Sequence, residues 1–406
     1  MTDSATNISS YGRHQLDRDD LNAVRDVLNG DFLTGGPAVM AFEKAFANRV
    51  QAEFAVACSS GTAALHLAAL ALELGPDDTV VVPTLTFLAT ANAARFVGAE
   101  VAFADVDPNT GLMGIESLIS AIQRVEQSGR RASAVFPVHL NGQCDDMSLI
   151  RDIASERNIR VVEDACHALG GAHGFGPNAP AIGSADFSDM ACFSFHPVKT
   201  IAMGEGGVVT TNDSGLYEKL VSDRSHGVER DPVAFVHRDL AFGDDGIVNP
   251  WYYEMPRIGF NYRASDIHCA LGLSQLQKLN EFVAKRDQLV RHYDIAVDRL
   301  APFVRPIGRI SACRPAWHLY VVLIDFSAIN FSRGQLMRRL QGAGIGTQVH
   351  YIPIHLQPYY QARYGPLALP GAEAYYSKCL SLPLSTAMSL RDVEAVVDAL
   401  ERAIAR

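Results

Sequence analysis

Between residues 54 and 212, short apolar or β-branched runs alternate with longer stretches of helical pattern, and this alternation constrains the chain more than any other feature. The runs 54–57, 79–82, 101–104, 132–136, 159–162, 190–195 and 208–211 predict strands, and 62–72, 87–98, 115–127 and 147–157 predict helices. Such an order implies an α/β fold with a mainly parallel sheet covered on both faces. Ligands of sheets of this kind sit at the carboxyl ends of the strands.

After residue 211 the pattern changes. Residues 228–260 carry Gly, Asp, Pro and clustered aromatics (PWYYE at 250–254) without a sustained period, which predicts a long functional loop. A helical stretch at 264–300, a strand at 317–325, a helix at 332–342, a strand at 346–350 and a helix at 389–404 then predict a smaller α+β unit. We divide the chain into a large α/β domain over residues 1–270 and a smaller C-terminal α+β domain over 271–406. An amphipathic helix at 16–28, stopped by Gly30, should pack against one of them.

The 35 basic residues are outnumbered by 45 acidic ones, and no Lys/Arg-rich block occurs. That balance argues against a nucleic-acid or anionic-membrane binder, which needs basic surface to displace counterions. The seven scattered cysteines (58, 144, 166, 192, 269, 313 and 379) include no Cys-x-x-Cys pair, as expected of reduced thiols in a cytoplasmic protein. No export signal or membrane anchor is visible, and the longest apolar run, 63–72, is too short to span a bilayer. No HExxH or Cys/His cluster occurs, so no metal site is expected.

Three segments carry candidate chemistry. In FAVACSSGTAALHLAALAL (54–72) a strand, a small-residue turn and an apolar helix place Gly61, Thr62 and Ala63 at a helix N-terminus, either a phosphate cradle or a routine N-cap. In IRVVEDACHALGG (159–171) Asp164 ends a buried strand, where its carboxylate either fixes a cationic ring nitrogen or caps the next turn; His167 alone would be a structural histidine. In ACFSFHPVKTIAMGEGGVVTTND (191–213) Lys199 follows Ser194 and is surrounded by Phe195, Pro197, Val198, Ile201 and Ala202. Burial there would depress its pKa and favour the neutral amine, which can form a Schiff base. Together the segments supply what a pyridoxal phosphate enzyme requires.

The ordered set SSGTAALHLA, PTLTFLATANAA (83–94), EDACHALGG, FSFHPVKTIAMGEGG and GFNYRASDIHCALG (259–272) resembles the DegT/StrS-type sugar-nucleotide aminotransferases, in fold type I of the pyridoxal 5′-phosphate enzymes. The resemblance runs from about Tyr11 to the C-terminal region. It implies Lys199 as the lysine bonded to the cofactor, Asp164 against the pyridine nitrogen, Phe87 stacked on the ring and His167, where many relatives carry Gln, beside the ring hydroxyl. It further implies Gly61, Thr62 and Ser194 around the phosphate, with Asn261 reaching the phosphate of the neighbouring subunit in a homodimer with shared active sites.

FHPVK, PWYYE and TQVHYIPIHLQPYY (347–360) are similar to the branch that aminates C4 of a UDP-linked 4-keto-6-deoxy-N-acetyl-L-hexosamine with L-glutamate, in pseudaminic acid biosynthesis. In that branch Tyr11, Leu33, Thr34, Gly61, Gln348, Val349, His350 and Tyr351 would line the sugar-nucleotide pocket, although Tyr351, Tyr359 and Tyr360 also suit a core. An aminotransferase for another nucleotide-linked 4-keto sugar, of perosamine type, and a non-catalytic sensor that keeps the fold are the alternatives. Lys199 speaks against the second, because a regulator has no need of the complete set.

Overall fold

The computed structural model describes residue 8 and residues 10–405. Seven of its strands, β1 (Phe54–Cys58), β2 (Asp78–Pro83), β3 (Glu100–Ala104), β4 (Arg131–Val135), β5 (Arg160–Asp164), β6 (Met190–Ser194) and β7 (Gly207–Thr211), form one sheet in the order β1-β7-β6-β5-β4-β2-β3. The strands from β6 to β3 pair in parallel, whereas β7 runs antiparallel to both β6 and β1. The predicted mainly parallel sheet is present, with one reversed strand. Most Val and Ala side chains on these strands are buried, on both faces, as a helix-covered sheet demands.

Register aligns the functional ends. Cys58 lies opposite Gly207, Gly207 opposite Ser194, and Asp164 opposite Cys192, so the ends of β1, β6 and β5 share one edge. The helix Gly61–Ala71, which follows β1, is apolar all round and almost wholly buried, as its sequence GTAALHLAALA requires. Its Ser60 N-cap accepts from the Ala63 amide at 3.1 Å.

Period-two alternation sorts β6. Phe193 and Phe195 point to one face, where they meet Phe46 at ring distances of 5.1 and 5.5 Å, and Ser194 between them points to the other. Phe42 and Phe46 belong to a helix, Pro37–Val50, that our sequence reading missed, although Pro37 at its first turn and the four-residue Phe spacing both mark it.

The second sheet is antiparallel, in the order β10-β9-β8, with β8 (Val304–Pro306), β9 (Tyr320–Ile324) and β10 (Cys379–Leu382). The strand expected at 346–350 does not form. Only Gln348 pairs, exchanging backbone hydrogen bonds with Ser381 at 3.1 and 2.8 Å, because the chain then turns away to line a cleft. The helix expected at 264–300 is two helices, Asp266–Gln277 and Leu279–Val297, separated at Lys278, where the backbone stands at φ −93°, ψ 0°. Its ammonium binds Asp17 and Asp20 at 2.6 and 2.9 Å, at the start of the predicted amphipathic helix, Arg18–Leu28, which packs along Asp266–Gln277.

The 228–260 segment doubles back on itself. Glu229 pairs with Glu254 and Phe242 with Val248, around a short helix, Arg238–Ala241. Phe235 and Ala241 are buried, but many of its other apolar side chains face outward, with Val233 86%, Trp251 73% and Ile258 78% exposed. No helix among the described residues is long and apolar enough to cross a membrane.

Alternation also separates the acid pair of β5: Asp164 faces the cleft and Glu163 is buried away from it. One Glu163 carboxylate oxygen lies 2.6 Å from His139 Nε2 and 3.3 Å from His173 Nε2, and the other accepts from Ser188 Oγ at 2.6 Å. Three residues distant in sequence thus form a His/Glu cluster that spacing did not reveal, with the carboxylate saturated by protein donors. Burial pushes the His173 imidazole down, but the facing Glu163 carboxylate outweighs it and the pKa is raised.

A raised folded-state pKa gives stability that is complete below the unfolded value of about 6.5 and is lost as pH rises through the folded value. We expect this ion pair to make unfolding free energy fall on the alkaline side, by at most about 1.4 kcal/mol per pH unit for the single proton. Urea unfolding of His173→Gln between pH 6 and 9 checks this: the variant should lose that component of the slope, and an unchanged profile would show that His173 does not titrate against Glu163.

Candidate active site

At the aligned strand ends lies a cleft of about 590 Å³. Tyr11, Gly61, Thr62, Phe87, Asp164, His167, Ser194, Lys199 and residues 348–351 all contribute to its wall. Leu33, Thr34 and Asn261 do not. They stand exposed outside it, Thr34 paired with Ser265 and Asn261 with Ser225 through backbone bridges.

Lys199 sits on the turn that joins β6 to β7, its backbone amide donating to the His196 carbonyl at 2.8 Å. Burial lowers its pKa, and nearby Cys166 and Asp164 offset this only in part. The amine is therefore shifted toward the neutral, nucleophilic form.

Asp164 is fixed by groups that sequence reasoning missed. Thr90 Oγ1 donates to its Oδ2 at 2.6 Å, and the Cys166 amide donates to Oδ1 at 3.2 Å. Thr86 Oγ1, 2.8 Å from Thr90 Oγ1, donates in turn, since the Thr90 proton is already used. The signal lay within PTLTFLATANAA, where Thr86 and Thr90 are one helical turn apart around Phe87. Phe87 caps the helix Leu88–Phe96 and leaves half its surface open to the cleft.

The phosphate-type corner is smaller than the sequence suggested. Because the Ser60 side chain takes the Ala63 amide, the free donors at this helix start are Gly61 and Thr62. Glycine is required at 61 by close approach: a Cβ there would stand 2.6 Å from Ser194 Cβ and 3.0 Å from its Oγ. A Cβ on Gly207 would meet the Ser60 carbonyl at 2.3 Å. Two amides, the positive end of a long buried helix and the Ser194 hydroxyl thus surround one small space suited to a phosphate.

The opposite wall is rich in imidazole. His350 Nδ1 lies 2.7 Å from Ser381 Oγ, and burial, with Lys199 nearby, brings its pKa down to about 3. His167, held between the Asn141 amide and the Tyr351 hydroxyl, is pushed well below the ordinary imidazole range by burial, with Lys199 and His350 contributing. Both are neutral at physiological pH. Tyr351 belongs to the cleft, while Tyr360 is core and bonds Asn92 at 2.9 Å. The segment 348–357 is pinned at both ends: Gln348 to Ser381, and Ile354 and His355 to Thr84.

These features fit pyridoxal 5′-phosphate: a desolvated amine, a braced carboxylate, an open aromatic face and a cradle that a side chain at Gly61 would fill. A model of the DegT/DnrJ/EryC1/StrS aminotransferase family matches residues 14–401. The chain is 36% identical over 403 residues to the spore coat polysaccharide biosynthesis protein SpsC of Bacillus subtilis (strain 168), with 98% of each covered. Helicobacter pylori PseC, an aminotransferase involved in the biosynthesis of pseudoaminic acid, has the same fold with a TM-score of 0.85 and 27% identity over 98% of this chain and 99% of that one. The aminotransferase TlmJ from Streptoalloteichus hindustanus gives 0.83 and 28%, covering 98% of both. The chain therefore belongs to the DegT/DnrJ/EryC1/StrS aminotransferase family, with the fold type I architecture its motifs implied, and is a sugar aminotransferase dependent on pyridoxal 5′-phosphate.

Proposed function

We propose that the protein transfers the amino group of L-glutamate to C4 of a UDP-linked 2-acetamido-2,6-dideoxy-L-arabino-hexos-4-ulose, giving UDP-4-amino-4,6-dideoxy-N-acetyl-β-L-altrosamine. The observation that carries the reading is the convergence of Lys199, Asp164 and the amides of Gly61 and Thr62 on one cleft whose remaining wall is the segment 348–351. Its choice of sugar is supported by the likeness to PseC and by FHPVK, PWYYE and TQVHYIPIHLQPYY.

When bound, the cofactor supplies a ring that withdraws electrons from the carbon next to the migrating nitrogen. Gly61, Thr62 and Ser194 would hold its phosphate, Phe87 would cover its ring, and the Asp164 carboxylate would keep its ring nitrogen protonated. The Lys199 amine would anchor it and, once displaced by the amino donor, carry the proton that must leave one carbon and reach another. Burial shifts that amine toward its neutral form, which favours its accepting this proton.

We further assign the active form to a homodimer with shared sites. The exposed apolar loop 228–260 supports this, as does the position of Asn261, Leu33 and Thr34 on open surface away from their own cleft. In this arrangement Asn261 serves the phosphate of the partner's cofactor.

Lys199→Ala should abolish the visible absorbance of the covalently held cofactor and cut turnover by roughly 100-fold to 10,000-fold. Borohydride reduction followed by peptide mapping locates the anchor, and label on another lysine would overturn the assignment. Mixing Lys199→Ala with Asn261→Ala protein under verified subunit exchange should restore activity, since one site of each heterodimer keeps both residues. Absence of recovery would place Asn261 at its own chain's site or at none. For the acceptor, kcat/KM for the L-arabino 4-keto sugar should exceed that for its D-xylo C5 epimer by about 10,000-fold, because a pocket that hydrogen-bonds substrate groups leaves its polar atoms unpaired against the wrong one. Equal values would move the protein to another sugar within the family.

A further inference from the structure

The cleft contains a hydroxyl whose hydrogen the protein leaves unused, for a reason set by the tautomer of its neighbour. The backbone N–H of Asn141 donates to Nδ1 of His167 at 3.3 Å, so Nδ1 is an acceptor. A neutral imidazole carries one hydrogen, and with Nδ1 accepting, that hydrogen is on Nε2. Nε2 lies 3.1 Å from the Tyr351 oxygen, to which it therefore donates. Tyr351 thus gives His167 a lone pair and keeps its own O–H free.

The arrangement is held on every side. Asn141 is buried at φ +62°, its carbonyl accepts from the His318 amide at 3.1 Å and its side chain donates to Tyr375 at 3.3 Å. The His318 ring covers that of His167 with centroids 4.4 Å apart. Tyr351 lies in the cleft wall, its ring 5.9 Å from that of Phe87, and among the described residues His167 is the only hydrogen-bond partner of its hydroxyl. Burial raises the phenol pKa well above its ordinary value, which keeps the O–H in place.

We propose that Tyr351 donates its phenolic hydrogen to a negatively polarised oxygen of the molecule bound in the cleft, and that His167 is the positioning residue that fixes this direction of donation. The proposal rests on the aminotransferase reading and deepens it. Two oxygens share the required chemistry: the ring oxygen of the cofactor and the keto oxygen of the sugar acceptor.

The test uses the cofactor-loaded protein and three variants, Tyr351→Phe, His167→Leu and His167→Gln. Glutamine presents one acceptor and one donor end, as the Nε2–H tautomer does, whereas leucine presents neither. If the cofactor oxygen is the acceptor, Tyr351→Phe shifts the pH midpoint of the bound cofactor's visible absorbance. If the keto oxygen is the acceptor, the spectrum and the single-turnover rate with glutamate stay unchanged, while the single-turnover rate with the sugar falls by about 100-fold, the usual loss for one such donor. In either case His167→Leu should reproduce the effect, His167→Gln should restore it, and His167→Leu should add nothing to Tyr351→Phe. A Tyr351→Phe protein with unchanged spectral midpoint and both rates intact overturns the proposal, as does an additive loss in the double variant. Wild-type protein that shows no Lys199-bound absorbance would instead overturn the functional reading, and wild-type protein bleached by glutamate but not recoloured by the sugar would overturn only the acceptor.

Discussion

The whole site depends on how closely the start of the helix Gly61–Ala71 approaches the end of β6. A side chain at position 61 would collide with Ser194, and one at 207 would collide with the Ser60 carbonyl. Both contacts follow from the register that sets Cys58, Gly207 and Ser194 side by side. Position 61 must lack a side chain so that a helix N-terminus, a serine hydroxyl and the lysine turn after β6 can address the same small volume. The helix itself can be almost wholly apolar because its duty toward the cleft lies at its first two amides, while His66 bonds elsewhere, to the Tyr262 hydroxyl at 3.1 Å.

Alternation along strands divides the structural work from the chemical work. On β6 the two phenylalanines anchor the sheet to the helix Pro37–Val50 and leave Ser194 for the cleft. On β5 the buried Glu163 is consumed by His139, His173 and Ser188, and Asp164 one residue later faces the cleft. Each functional side chain is thereby braced by a neighbour in sequence that points the opposite way. Thr90 completes the brace of Asp164 from a different element, which limits the carboxylate to a single orientation.

Local pattern made the seven strands of the main sheet and the helices between them legible, because period and strand-end chemistry are local properties. It failed where tertiary contacts decide. The segment 346–350 has strand composition, but the edge of β10 offers it one pairing partner before the cleft draws it away. Lys278 breaks a long helical pattern, and the acidic residues it pairs with lie some 260 positions upstream. The His139–Glu163–His173 cluster was invisible to spacing rules because only the folded sheet brings its members together. The resemblance placed Lys199, Asp164, Gly61 and residues 348–351 at one cleft, and the fold brings them there. Leu33, Thr34 and Asn261 lie instead on exposed surface outside that cleft.

The two histidine networks show how burial can give opposite outcomes. His173 faces the Glu163 carboxylate, whose attraction outweighs burial and raises its pKa. His167 faces a backbone amide on one nitrogen and a phenol on the other, with Lys199 and His350 nearby, and burial keeps it neutral. A backbone amide has no titration and cannot reverse its polarity, so the hydrogen-bond direction from Asn141 through His167 to Tyr351 holds wherever His167 is neutral, which burial extends well below the ordinary imidazole range. The proposed proton transfer at Lys199 is served by a wall that does not exchange protons. Neutral His167 and His350, fixed by a backbone donor and a serine hydroxyl, line that wall, and neutral His318 packs against His167.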